Sequence, residues 1–156
     1  MKTTIFTKEQ SLLKVKHYCG YQQRCEAEVR EKLYSFNLNK KVYDEIILQL
    51  IQENYLNDEE FALQFARGKF RMKQWGRIKI KYALKQKQVS DNFIKNAVNQ
   101  IDQGEYEKTI NKLIQQKLKA LKGINIFEKR KKLYDYLLQK GYEGTQIKEV
   151  ADKADS

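Results

Sequence analysis

Apolar residues recur along this chain in trios. Val29, Leu33 and Leu38 stand four and then five residues apart. Ile80, Leu84 and Val89 repeat that spacing 51 residues later, and Leu133, Leu137 and Tyr142 repeat it after a further 53. Past each trio lies a second apolar face: Val42, Ile46 and Leu50; Phe93, Ala97 and Ile101; Ile147 and Val150. Steps of four follow the period of a helix, whereas a strand would alternate every second residue. Self-similarity at such a period predicts three copies of one helical unit.

Each copy reads as three helices, with repeats over residues 9–56, 57–103 and 104–153. The first holds helices over 11–20, 26–36 and 40–53, broken near Gly20 and capped at Asn39. In the second, Asn57 is a good N-cap and Glu60 falls at the third helical position, the capping-box arrangement, with Leu56 and Phe61 at the staple positions. Asp58 and Glu59 place negative charge at the positive end of the helix dipole, so the acids of this run have a structural explanation. The helix they start, 58–74, is expected to bury Phe61, Phe65 and Met72 beside Ala62 and Ala66. Trp75-Gly76 ends it, with Gly76 supplying the left-handed cap and Trp75 a packing anchor. A helix over 77–86 and another behind Ser90 complete the unit. Gln103-Gly104 reads as a joint, followed by helices over 106–121 and 125–139 around a turn at Gly123. The chain has no proline and only seven glycines, which disfavours a turn-rich β fold. The expected class is all-α: three tandem three-helix repeats forming an elongated, curved body.

Charge changes the picture. The 156 residues carry a net charge of +11, and nine Lys or Arg lie between Arg67 and Lys87, leaving +2 for the rest. No Asp or Glu occurs from residue 61 to residue 90. A basic surface this concentrated suits an anionic partner, nucleic acid or a protein bound to it. Arg67, Arg71, Arg77, Lys81 and Lys85 are the first candidates for the contact surface, with Arg77, Lys81 and Lys85 forming one stripe at i, i+4, i+8. Lys69, Lys73 and Lys79 come next, Lys69 and Lys73 falling nearer the apolar side of their helix. A second basic run, 129–132, has Glu128 and Asp135 nearby and reads as a solvated face.

The sequence holds no phosphate-binding glycine loop, and its one histidine, His17, lacks a nucleophile or carboxylate at an informative spacing. Binding without catalysis is therefore expected, with no cofactor. Cys19 and Cys25 are six apart, too far for the usual zinc pair, and read as two reduced thiols. No apolar run approaches a membrane span and the first residues lack a secretory pattern, so a cytoplasmic location is expected. The protein is also expected to be a monomer.

The motif YLNDEEFA at 55–62, then Trp75-Gly76-Arg77-Ile78-Lys79-Ile80, Leu84, Lys87 and Val89, resembles the central signature of the RecX family. EVREKL at 28–33 and YLLQKGY at 136–142 are similar to that family's first and third repeats, so the resemblance spans roughly 9–152. Two positions depart from it: Arg77 stands where many members carry Pro, and Gln88 where many carry Gly. The resemblance implies a bacterial regulator that binds in the groove of the RecA–DNA filament and opposes its assembly, recombinase and coprotease activities, within recombination, repair and the SOS response. The residues alone leave a second possibility open: a stand-alone helical protein that binds single- or double-stranded DNA through phosphates, without sequence specificity, because the cations of the 77–86 helix are mostly Lys.

Overall fold

The computed structural model describes residues 6–154. Among these the chain forms nine helices and no strand: α1 (Lys8–Tyr21), α2 (Glu26–Tyr34), α3 (Lys40–Gln52), α4 (Asp58–Lys73), α5 (Arg77–Gln86), α6 (Asp91–Asn99), α7 (Gln103–Ala120), α8 (Ile126–Gln139) and α9 (Gly144–Ala154). They gather into two compact units. One holds the chain up to Gln64 with Leu84–Ile94, and the other holds Phe65–Ala83 with the chain from Lys95 onward. In the first unit α1, α2 and α3 pack on one another, around Val15, Val29, Leu33, Ile46 and Leu50. In the second, α7, α8 and α9 do the same, with Tyr106, Ile110, Leu113, Leu137 and Tyr142 fully buried.

Helix starts are set by side chains that satisfy otherwise orphaned N–H groups. Thr7 and Gln10 form a reciprocal capping box that starts α1 at Lys8, and the helix does not break near Gly20 but runs on to Tyr21. Asn57 Oδ1 accepts from the Glu60 N–H at 3.0 Å, and Leu56 and Phe61 are both buried beside that cap. Asp58 also ties two helices together, because its Oδ1 accepts the Glu26 N–H at 2.8 Å and so joins the first turns of α4 and α2. Asp102 caps α7 through the Glu105 N–H, so Gln103 and Gly104 belong to the first helical turn and form no joint.

Helix ends explain the spacing of the trios. Gln88 (φ 61°) and Gly141 (φ 99°) are left-handed, each one residue before the last member of its trio. Val89 N–H then bonds back to Leu84 O at 3.2 Å, and Tyr142 N–H to Leu137 O at 3.1 Å. This is the Schellman closure, in which the apolar residues on either side of the left-handed one come together. A gap of five after a gap of four is thus a helix followed by its stop. Asn37 (φ 56°) is the left-handed residue of the first trio, where Leu38 N–H turns to the Tyr43 hydroxyl.

Two expectations for α4 change. Met72 is exposed, Phe65 is half-buried and Phe70 is buried instead. The part of α4 from Phe65 onward belongs to the second unit and packs Phe70 beside Tyr106 of α7, with ring centroids 5.8 Å apart. The face that carries Phe61 is therefore no longer the buried one by Met72. The left-handed residue after α4 is Gln74 (φ 56°), so Gly76 has a different purpose. A Cβ on Gly76 would overlap the Gly141 backbone, and one on Gly141 would overlap the Lys79 Cβ. Gly76 N–H donates to Lys140 O at 2.8 Å and Ile78 N–H to Gly141 O at 2.9 Å, so two backbones meet with no side chain between them.

Both turns make stability predictions. A side chain in the left-handed region costs ~1–2 kcal/mol and glycine returns part of that as chain entropy, so Gln88→Gly is expected to stabilise by about 0.5–1 kcal/mol. Gly76→Ala forces backbone apart and is expected to destabilise by about 3 kcal/mol. Urea unfolding followed by far-UV circular dichroism measures both, and a neutral Gly76→Ala would show that the backbone contact is unimportant.

Candidate partner interface

The Gly76–Gly141 contact brings the end of α4, the start of α5 and the end of α8 together, and the basic residues around it divide into two groups. Trp75 is half-buried, 6.4 Å from the Phe65 ring, with Lys69 Nζ 5.0 Å and Lys79 Nζ 4.7 Å from its centroid. Lys140 Nζ donates to Lys73 O at 3.1 Å, and the Tyr142 hydroxyl donates to Gln74 O at 2.7 Å, so the turn after α8 supplies donors to the carbonyls at and just past the end of α4. Burial, and then the Lys79 charge, hold the Lys140 ammonium below its ordinary lysine pKa. Lys117 adds another cation 4.7 Å from the Tyr136 ring. The result is a cluster of aromatic rings edged by ammonium groups, a surface suited to anions that also present a flat or apolar body.

Of the eight sequence candidates, Arg67, Arg71, Lys73, Lys81 and Lys85 are exposed, and Lys69 and Lys79 are half-buried against Trp75. Lys85 falls in the first unit, one turn beyond Lys81 on α5, while the other seven lie in the second. Arg77 leaves the expected stripe. Its side chain is only 13% exposed and pairs with Glu143 at 3.6 Å. Its Nε donates to Val98 O and an Nη to Ile101 O, both at 3.2 Å, so it closes the C-terminal end of α6. The guanidinium carbon sits 3.9 Å from the Tyr106 ring centroid, and the Arg77 N–H donates to the Tyr106 hydroxyl at 2.9 Å. That hydroxyl in turn donates to Glu143. Burial, and then the Glu143 hydrogen bond, push the Tyr106 pKa upward, so it stays a donor. A proline here could supply neither the N–H nor the guanidinium.

Lys87, the last base of the segment, is also committed. It pairs with Glu28 at 3.1 Å, and Glu28 accepts the Cys25 N–H at 3.1 Å. Cys19 and Cys25 are free thiols, and burial pushes the Cys25 thiol up to about 11. Lys140 and Lys117 were not among the sequence candidates. The motif YLLQKGY contains Lys140, and only the fold reveals that it reaches α4, 67 residues earlier in the chain.

Comparison with known proteins decides the family. The model of the RecX second three-helix domain matches residues 57–98, and that of the third three-helix domain matches residues 105–151. The chain belongs to the RecX family. It is 29% identical over 136 residues to the regulatory protein RecX of Prosthecochloris aestuarii, covering 87% of each chain. It is 34% identical over 138 residues to that of Clostridium botulinum, covering 84% of this chain and 62% of the relative. Against the Bacillus mycoides protein, at 24% identity, it spans 56% of the relative's length. The crystal structure of RecX from Lactobacillus salivarius superimposes with a TM-score of 0.88 at 24% identity, over 95% of this chain and 96% of that one. A second crystal structure, of a regulatory protein RecX, gives 0.85 at 19% identity over 93% and 71%. These two show that the all-helical RecX fold is shared. Among the described residues no helix is long and apolar enough to cross a membrane.

The Arg77 network makes a further prediction. Tyr106→Phe leaves the buried Arg77 N–H without its acceptor and is expected to cost about 1–3 kcal/mol, while Lys81→Ala, on an exposed site, should stay within about 0.5 kcal/mol of wild type. Urea unfolding of both variants checks this, and equal effects would show that the network adds nothing.

Proposed function

We propose that this protein is a regulator of RecA that binds in the groove of the RecA–DNA filament and inhibits its assembly and its recombinase and coprotease activities, without catalysis of its own. Membership of a family of regulatory proteins carries this conclusion. Residues 9–56, 57–103 and 104–153 serve as its three repeats, with the middle one supplying most of the contact. Arg67, Arg71, Lys73, Lys81 and Lys85 would meet acidic protein side chains or DNA phosphates directly. Lys69 and Lys79, held on Trp75, would add contacts where charge and an apolar surface coincide. Arg77 is assigned to the fold, because its donors already have partners within the second unit. The chain spans only 50–62% of several Bacillus and Clostridium relatives, so what a whole longer protein does is proposed here on the strength of the shared part.

A direct, sequence-nonspecific DNA-binding role is the second reading, favoured by the acid-free stretch from 61 to 90. The two separate in one experiment. Wild-type protein at substoichiometric amounts is expected to slow ATP hydrolysis by RecA on single-stranded DNA. Arg71→Glu/Lys81→Glu/Lys85→Glu, still helical by circular dichroism, is expected to need roughly tenfold more protein for the same effect. If wild type leaves the recombinase untouched yet binds naked DNA with an affinity that falls steeply with salt, the DNA-binding reading replaces the first.

A further inference from the structure

The first unit carries an open groove of about 1010 Å³ between α1 and the far ends of α2 and α3. Its apolar lining comprises Phe6, Leu13, Tyr18, Tyr21, Phe36 and Tyr55. Leu13 and Tyr21 are 70% and 75% exposed, although they stand on a helix whose other face is packed into the core. Every ionisable side chain among the lining residues, tyrosines aside, is basic: Lys14, Lys16, His17 and Lys32. Apolar surface and one sign of charge thus coincide within the first unit.

The rings are already matched with the chain's own cations. Lys14 Nζ lies 4.7 Å from the Phe6 centroid, Lys16 Nζ 5.1 Å from Tyr55, and both Arg24 (3.8 Å) and Lys32 (5.6 Å) approach Tyr18. A stacking platform for nucleic-acid bases needs open ring faces. Here cations lie over three rings, Phe36 is buried in T-shaped contact with Phe6, and Tyr21 packs T-shaped on His17, which leaves Leu13, Tyr21 and the ammonium groups exposed. Such a surface complements an amphipathic segment whose apolar side chains fill the floor while carboxylates meet the rim. Lys16 is partly engaged by Glu53 at 3.2 Å. Among the described residues Lys14 and Lys32 have no carboxylate partner, which makes them the rim's recognition charges.

We propose that this groove is a docking site for an acidic, amphipathic peptide segment of a partner protein. Leu13 and Tyr21 take its apolar side chains, and Lys14 and Lys32 take its carboxylates. The proposal stands apart from the filament reading above, since it can be tested with this chain alone. A random dodecapeptide display library panned on the full chain is expected to yield peptides enriched in Asp or Glu together with Leu, Phe or Trp. A selected peptide, synthesised with a fluorophore, should bind about tenfold more weakly, by anisotropy, to Lys14→Glu/Lys32→Glu and to Leu13→Ser. All three positions are exposed, so the variants should keep the wild-type helical spectrum. Selection without acidic enrichment, or peptides that bind the charge-reversed variant equally well, would overturn the proposal. So would an oligothymidylate held through Lys14 and Lys32 while no acidic peptide is retained, an outcome that would make the groove a single-strand site.

Discussion

A close backbone contact between two glycines holds the basic surface of the second unit in place. Gly76 and Gly141 approach so closely that a Cβ on either would strike backbone or the Lys79 stem. The contact draws Lys140 onto the last turn of α4, sets Lys79 beside Trp75 and starts α5 at the point where Arg77 can reach α6, α7 and Glu143. Close packing leaves no slack for a methyl group here, so the geometry of the neighbouring cations depends on the absence of two side chains.

The same economy governs how the helices stop. Asn37, Asn54, Gln74, Gln88, Gly123 and Gly141 all adopt positive φ, and several sit where a helix must end and the chain turn back. Asparagine tolerates this region and glycine is indifferent to it, whereas glutamine is strained there. With no proline in the chain, these residues follow the ends of six helices, and side-chain caps at Thr7, Asn39, Asn57, Asp102 and Asn125 set the starts of five.

Electrostatics divides along a different line. A basic residue near unsatisfied carbonyls or a half-buried carboxylate becomes part of the fold, as Arg77 and Lys87 do. One whose neighbours are water or an aromatic ring keeps its charge available. Lys69 and Lys79 are intermediate: ring contact orients them and leaves their ammonium donors free for an anion.

Much of the architecture was legible in the sequence because it is local. Helical period follows from steps of four, the Asn57 cap from residues three apart, and the repeat from trios that recur in register. These need only the chain's own geometry over a few residues. The concentration of charge between Arg67 and Lys87 is likewise a property of composition. Which face of α4 is buried at Phe70, why Gly76 is glycine, and which of the nine cations remain free were decided by partners 20 to 70 residues away: Tyr106 for Phe70, Gly141 for Gly76, Val98, Ile101 and Glu143 for Arg77, and Glu28 for Lys87. A side chain's charge is written in its residue type. Its availability depends on the acceptors that folding brings within hydrogen-bond reach, and tertiary structure alone sets those distances.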